Sequence, residues 1–540
     1  MANSREPRQR HNREKTPYLF RRMVRSDIAV LFVAGLLSAS GATAQALATQ
    51  GAEKTPGGFR ITPKISVRET YSDNVALAPR GQEKSDFITE IIPGIVITDR
   101  TARTTLKIDY SLDNFLYADD KNRNTATHQL SGKADIALVE DLLFVESNAR
   151  ISQQATSLLG PLGADSATSN RNNQTLRFFG IGPHLRKTLG REAVIDARYT
   201  LSQFSSGDSS AASNSQGRRF AASANSGSAF RDWGWGIDFV DDRIDFKKSQ
   251  DTTLDSLTGS LHYRVSPRLS VIGTAGYERN DYFTLGHKPE GAIWNLGFDW
   301  RPSQRTSFSA SAGRRFFGNT YSLIFRNVTR KTVWDLSYSR SLNTSRSSFG
   351  SGGGTLRAAL ENQILRLNPN ISPADLEDAV VRAAQGRDLD AISENSFQTN
   401  TVFLETRLQG SVSLALRKMN MVFTLFNSVR DSDTTGNANI FTSSGDFALS
   451  RVIKQMGAGA RWSYQLSPRN QASLSLDLSR NKFVDINRQD DLARLQTGIT
   501  RKLSRTATGT INYRHVRRDS NFNSGEYNEN ALIGSLSATF

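Results

Sequence analysis

The chain has 540 residues, 68 Lys and Arg against 52 Asp and Glu, a formal charge of +16 and no cysteine. Its mean hydropathy of −0.45, with no apolar run near the roughly 20 residues a spanning helix needs, excludes a helical membrane protein. The lack of cysteine excludes a disulfide scaffold.

At the amino end, Arg5, Arg8, Arg10, Arg13, Lys15, Arg21, Arg22 and Arg25 precede the apolar run IAVLFVAGLL (Ile28 to Leu37) and the small residues Ala42-Thr43-Ala44-Gln45-Ala46. This order reads as a signal peptide over residues 1–46, cut after Ala44 or Ala46. A short periplasmic segment, residues 47–59, is expected to follow. Removing the leader, which carries +5, leaves +11 on the exported part.

From residue 60 to residue 540, segments of period two recur. Leu106, Ile108, Tyr110 and Leu112 alternate with Lys107, Asp109 and Ser111; Trp233, Trp235, Ile237 and Phe239 share one parity; Leu474, Leu476 and Leu478 share another. Each reads as a strand with one apolar and one polar face. The connections alternate between short turns, such as Leu189-Gly190-Arg191, Ser266-Pro267-Arg268, Pro302-Ser303-Gln304 and Ser467-Pro468-Arg469, and long loops, such as Gln154 to Asn172 and Asp431 to Asp446. Ser266 to Ser303 spans 37 residues, as does Ser467 to Ser504, a repeat that fits two strands, one long loop and one tight turn.

Tyr263, Trp300 and Tyr464 each stand three residues before the turn serine. Aromatic side chains at a fixed height on strands are what a membrane interface selects, because the amphipathic ring settles at headgroup level. A soluble sandwich would explain aromatics in strands but not their constant distance from the short turns. The expected fold is therefore all-β: a transmembrane antiparallel outer-membrane β-barrel of about 22 strands, within two either way, with short turns on the periplasmic side and long loops outside. At about 4.8 Å per strand and a tilt near 40°, such a barrel is roughly 40 Å across.

In lipid a sheet must close on itself, so the final strand must pair with the first. The closing stretch ALIGSLSATF puts Leu536, Ala538 and Phe540 on one apolar parity, a pattern that resembles the signal read by the outer-membrane assembly machinery. The polar parities place Lys107, Asp109, Lys133, Arg264, Arg407, Asp477 and Arg514 toward the lumen. A basic lumen would favour anionic solutes, including an anionic polysaccharide; basic loops facing outer-membrane lipid and lipopolysaccharide would account for the same charge.

One segment departs from the strand pattern. Residues 350–399 begin Gly-Ser-Gly-Gly-Gly and continue with TLRAALENQILRL and SPADLEDAVVRAAQG. Ser372 suits an N-cap and Pro373 a first helical position, so a small helical insertion in one loop is expected, either a gate or a decorated rim. The histidines after the leader, His128, His184, His262, His287 and His515, are scattered, and no Gly-x-Ser-x-Gly turn stands among them. The expectation is a protein that is not an enzyme, with no cofactor, no metal and no nucleic-acid partner. A general porin, or a barrel that binds or hydrolyses through its loops, are the alternatives.

The stretches SVRETYSDNVALAP (Ser66 to Pro79), DFITEIIPGIVIT (Asp86 to Thr98), DYSLDNFLYADDKNRNTATHQL (Asp109 to Leu130) and GRRFFGNTYSL (Gly313 to Leu323) resemble the outer-membrane β-barrel family associated with PEP-CTERM/exosortase systems. The likeness runs from about Ile61 to Phe540, is strongest in the first third, and does not include the insertion at 350–399. It implies a setting beside exopolysaccharide synthesis and export, and it implies no reaction. The functional expectation is an outer-membrane channel or scaffold for exopolysaccharide export.

Overall fold

The computed structural model describes residues 58–540 apart from 166, 169–171, 208–213, 283–288, 351–398, 433–444 and 523–524. The leader and nearly all of the insertion at 350–399 lie outside the described residues.

Twenty-two strands form one sheet. The first seven are β1 (Arg60–Ser72), β2 (Asp86–Arg100), β3 (Thr104–Tyr117), β4 (Thr125–Val139), β5 (Leu143–Ala155), β6 (Asn173–Leu189) and β7 (Ala193–Ser206). The next eight are β8 (Ser215–Ser226), β9 (Trp233–Phe246), β10 (Thr252–Ser266), β11 (Leu269–Asp281), β12 (Glu290–Ser303), β13 (Thr306–Arg315), β14 (Gly318–Val328) and β15 (Thr332–Asn343). The last seven are β16 (Phe403–Ala415), β17 (Met419–Asp431), β18 (Val452–Gln465), β19 (Asn470–Phe483), β20 (Arg488–Lys502), β21 (Ala507–Ser520) and β22 (Tyr527–Thr539). Each strand pairs antiparallel with the next, and β22 pairs with β1 from Lys64↔Thr539 to Ser72↔Ala531. The sheet has no free edge, so the ladder satisfies the strand backbones without water.

Register fixes which face every side chain takes. On β10 the outward parity holds Leu257, Leu261 and Tyr263, opposite Phe239, Trp235 and Trp233 of β9, and all but Trp235 are exposed. On β12 it holds Trp294, Leu296, Phe298 and Trp300, all exposed large apolar groups. Dozens of exposed Leu, Ile, Phe, Trp and Tyr side chains would be untenable in water as one continuous surface. In a bilayer they are the surface that lipid covers. The periplasmic turns are tight: Gly190 follows β6 with φ +56°, a left-handed conformation that costs a glycine little.

Two elements differ from the strand pattern in the sequence. Residues 447–451, which the alternation assigns to the start of the eighteenth strand, instead leave the sheet, and Gly445–Ala448 forms a 3-10 helix that buries Asp446 and Phe447. One helix is described at the insertion, α1 (Ser345–Gly350), and it precedes the segment where the sequence places helices.

The face assignment has a direct test. Leu257→Arg puts a charge into lipid, whereas Thr258→Arg puts one into the lumen opposite Asp238. Urea titration of the barrel folded in vesicles should show the first variant destabilised by about 2–4 kcal/mol and the second nearly unchanged; equal losses would contradict the assignment.

Candidate functional site: a lumen crossed by an inward-folded loop

The connection from β5 to β6 does not project outward as the sequence pattern suggests. It folds into the mouth and lies on the wall formed by β16 to β22 and β1 to β3. Leu158 and Leu162 pack with Phe403, Phe447, Ile453 and Phe483. Ala167 packs with Val75, Ile88, Phe115 and Tyr117, and Ala164 packs on Leu77, Leu492, Val516 and Tyr527. Burying Leu158 completely contributes about 1.5–3 kcal/mol, which favours the inward position over a solvated loop.

Polar groups then fix the loop's path. Its backbone carbonyls are received by lumen side chains: Tyr117 Oη donates to Ala167 O and Tyr527 Oη to Leu162 O, both at 2.8 Å. Arg518 donates to Leu158 O at 3.0 Å and to Gly160 O, and Arg488 donates to Leu159 O at 2.8 Å. Asp446, from the β17–β18 connection, accepts from Leu158 N at 2.7 Å and from Ser157 Oγ. A buried loop needs such partners for its main chain.

Asp165, midway along the loop, reaches the wall at β21. Its carboxylate meets Arg514 of β21, whose other side contacts Glu529 at 2.7 Å; all three side chains are buried. Burial on its own would push the Asp165 carboxyl up, but Arg514 beside it and Arg68 beyond hold it below the usual carboxylate range. Burial pushes Asp446 the other way, above that range, with Ser157 and Leu158 only partly offsetting it.

The α1 helix anchors to a second wall. Phe349 packs with Leu176, Phe178 and Phe204, and Arg346 donates to Ser202 O at 3.1 Å and to Ser215 Oγ at 2.8 Å. Burial pulls the Arg346 guanidinium down to about 10, so it remains a cation at neutral pH.

The sequence-derived lumen charges all fall on the inward parity, but they do not form one site. Asp109 pairs with Lys64 at 2.5 Å, Asp477 with Arg461 at 3.5 Å, and Arg407 stands 3.9 Å from Glu405. Lys107 lies opposite Lys133 on β4, and Arg264 lies at the periplasmic end of β10. Only Arg514 joins the buried cluster. Tyr263, Trp300 and Tyr464 face outward near the short turns, with Tyr464 stacked on Trp462 at 5.9 Å. On β22, Leu536 and Ala538 face outward opposite Val67 and Ile65, and the Phe540 amide donates to Pro63 O at 2.9 Å.

The sequence reading missed Asp165, Arg518, Arg488, Tyr527 and Asp446. A signal existed in SLLGPLGADSA (Ser157 to Ala167), whose three leucines are too apolar for a solvated loop.

The remaining lumen wall, β10 to β15, differs in chemistry. Ser256, Thr258 and Ser260 on β10, Thr274 on β11, Ser309 and Ser311 on β13, Ser322 on β14 and Ser337 and Ser339 on β15 all take the inward parity. On the same wall Arg315 pairs with Glu278. Short hydroxyl groups recur on this wall, among Ile272, Ile324, Asn295 and Asp299 of the same parity.

A family model described as "Putative beta-barrel porin 2" matches residues 417–540, the strands β17 to β22 with their connections. Over those strands the chain is similar to that family, and the chain is a 22-strand β-barrel of the outer membrane. No curated protein matches it in sequence. Among solved structures, the siderophore receptor PirA from Pseudomonas aeruginosa is similar at 11% identity over 90% of this chain and 81% of that chain, with a TM-score of 0.44. A ferric enterobactin receptor (PfeA) from the same organism, in complex with enterobactin, gives 11%, 90%, 82% and 0.46. OpdK with vanillate, also from Pseudomonas aeruginosa, gives 8%, 89%, 99% and 0.30.

Asp165→Asn removes the loop's charge while leaving Arg514 paired with Glu529. Single-channel recording should show larger or more frequent openings than in the unaltered barrel. Because the folded Asp165 value is depressed, its contribution is complete above the ordinary carboxylate value of 3.8 and is lost only as pH falls through the lower folded value. Conductance of the unaltered barrel should therefore hold steady from pH 7 to about 5, so far as Asp165 controls it, and rise only in stronger acid.

Proposed function

We propose that this barrel is a gated conduit or scaffold for export of an envelope exopolysaccharide, in a PEP-CTERM/exosortase setting, and that it acts without catalysis. The observation that carries this reading is the contrast between two of the lumen's walls. One wall is covered by a loop held through buried charge and backbone hydrogen bonds; another presents short hydroxyls on five of its six strands, β10, β11, β13, β14 and β15. Serine and threonine exchange hydrogen bonds with hydrated sugars at little cost, and small side chains leave no deep trap along the path. An anchored loop suits a route that opens for one polymer better than it suits free diffusion. Resemblance of the first strands to the exosortase-associated barrels supports the same setting.

The partners proposed are outer-membrane lipid and lipopolysaccharide, an anionic polysaccharide chain, and the assembly machinery, which would read the strand that ends in Leu536, Ala538 and Phe540. A general porin for small solutes is the second reading, favoured by the family model over 417–540.

Planar-bilayer recording of a barrel in which residues 157–171 are replaced by a short Gly-Ser connection separates the two. On the export reading, the unaltered barrel conducts little, the shortened one conducts well, and an added anionic oligosaccharide blocks the current. A large, unblocked current through the unaltered barrel would instead establish the porin.

A further inference from the structure

A second feature lies on the outside of the barrel and does not depend on what the lumen carries. Along β19, the outward parity runs Leu474, Leu476, Leu478 and then changes abruptly to Arg480 and Lys482. On β18, Lys454 sits directly opposite Lys482, and Met456 opposite Arg480. Two lysines facing one another across a strand pair repel, and among the described residues neither has a carboxylate within ion-pair distance. Arg517 of β21 adds a fourth cation. The acidic neighbours are already engaged, Asp491 by Arg480 at 2.6 Å and Asp519 by Arg517 at 2.9 Å, so the patch keeps two positive charges in excess.

Directly beneath the cations the same face is hollow. A groove of about 610 Å³ runs along β15 to β21, lined by Leu408, Leu425, Met456, Ala458 and Leu478 and reaching Arg480. It runs from the middle of these strands to their loop ends, within the leaflet that faces the cell exterior. At its upper end the groove meets Arg480, Asp491 and Asp519, and Lys454 and Lys482 stand beside that end on the same outward parity. An apolar channel next to two lysines without carboxylate partners has the polarity of a lipid with an anionic headgroup.

We propose that this patch is a binding site for a phosphorylated, multiply acylated glycolipid of the outer leaflet. A phosphate oxygen cluster placed between Lys454 and Lys482 removes their repulsion through charge-assisted hydrogen bonds. The acyl chain follows the groove past Met456 and Ala458. A second copy of the barrel fits poorly, since a twofold contact would bring two net-positive patches together.

The full-length barrel, reconstituted in phosphatidylcholine nanodiscs, is titrated with hexa-acylated lipid A carrying two phosphates and read by native mass spectrometry. The paired change Lys454→Glu with Lys482→Glu should lower occupancy at least tenfold while leaving heat-modifiable migration intact, and Lys454→Gln with Lys482→Gln should give a smaller loss if the glutamate pair fails to fold. Ala458→Trp, which fills the groove without altering charge, should also weaken binding severalfold. Phosphatidylglycerol in equal amount should not displace the lipid A. Unchanged occupancy in the lysine variants, equal displacement by phosphatidylglycerol, or an equal loss on changing Lys107 and Lys133 in the lumen to Glu would overturn the proposal.

Discussion

A strand in lipid has no water to satisfy its amide and carbonyl groups, and the rest of this structure follows from that constraint. The seam between β22 and β1 is where the constraint is met. Without the pairs from Lys64↔Thr539 to Ser72↔Ala531, two edges would stand open in hydrocarbon, each unpaired group costing several kcal/mol. With the seam closed, register decides every other placement. One parity goes to lipid and becomes Leu, Ile, Val and aromatic; the other goes inward and is free to be polar.

Closure also creates the lumen's own difficulty. A 22-strand barrel has an interior too wide for its wall side chains to fill, and charged groups withdrawn from bulk water must be paired. Here the β5–β6 loop meets both conditions together. Its leucines fill space against Phe403, Phe447 and Phe483, and its Asp165 gives Arg514 a second carboxylate beside Glu529. Arg518, whose guanidinium bonds Asp490 as well as three loop carbonyls, shows the same economy: a wall charge serves as anchor for incoming backbone. The loop and the charge cluster are one construction, and neither would be stable in this form without the other.

Much of the fold was legible because strand periodicity is a local property. The alternation in Leu106 to Leu112 and in Leu474 to Leu478 specifies faces without reference to distant residues, and the short-turn, long-loop rhythm supplies the strand count. The site was less legible because it is built from separations of hundreds of residues. Nothing near Asp165 in sequence announces Arg514, and Asp446 meets Ser157 across 289 positions. Arg514, Asp109 and Asp477 share one parity in the sequence, yet parity says only which way a side chain points. The start of β18 failed for a related reason: Phe447 fits a strand pattern, but a buried place against Leu158 is worth more to it than a position in the sheet.

Closure of the sheet is the claim on which faces, lumen and loop all rest. The chain has no cysteine, so Ser66→Cys with Ser537→Cys introduces a single pair across the seam, at positions directly opposed and with hydroxyls 2.9 Å apart. Opposed residues in an antiparallel ladder stand about 4.5–5.5 Å apart at Cα, within the range a disulfide spans. Mild oxidation of intact outer membranes should link the two ends of the barrel rapidly and nearly completely, seen as a mobility shift on denaturing gels that reductant reverses. Failure of this pair to cross-link, while Ser66→Cys with Ile92→Cys on β2 links readily, would mean that the sheet is open at β1 and β22.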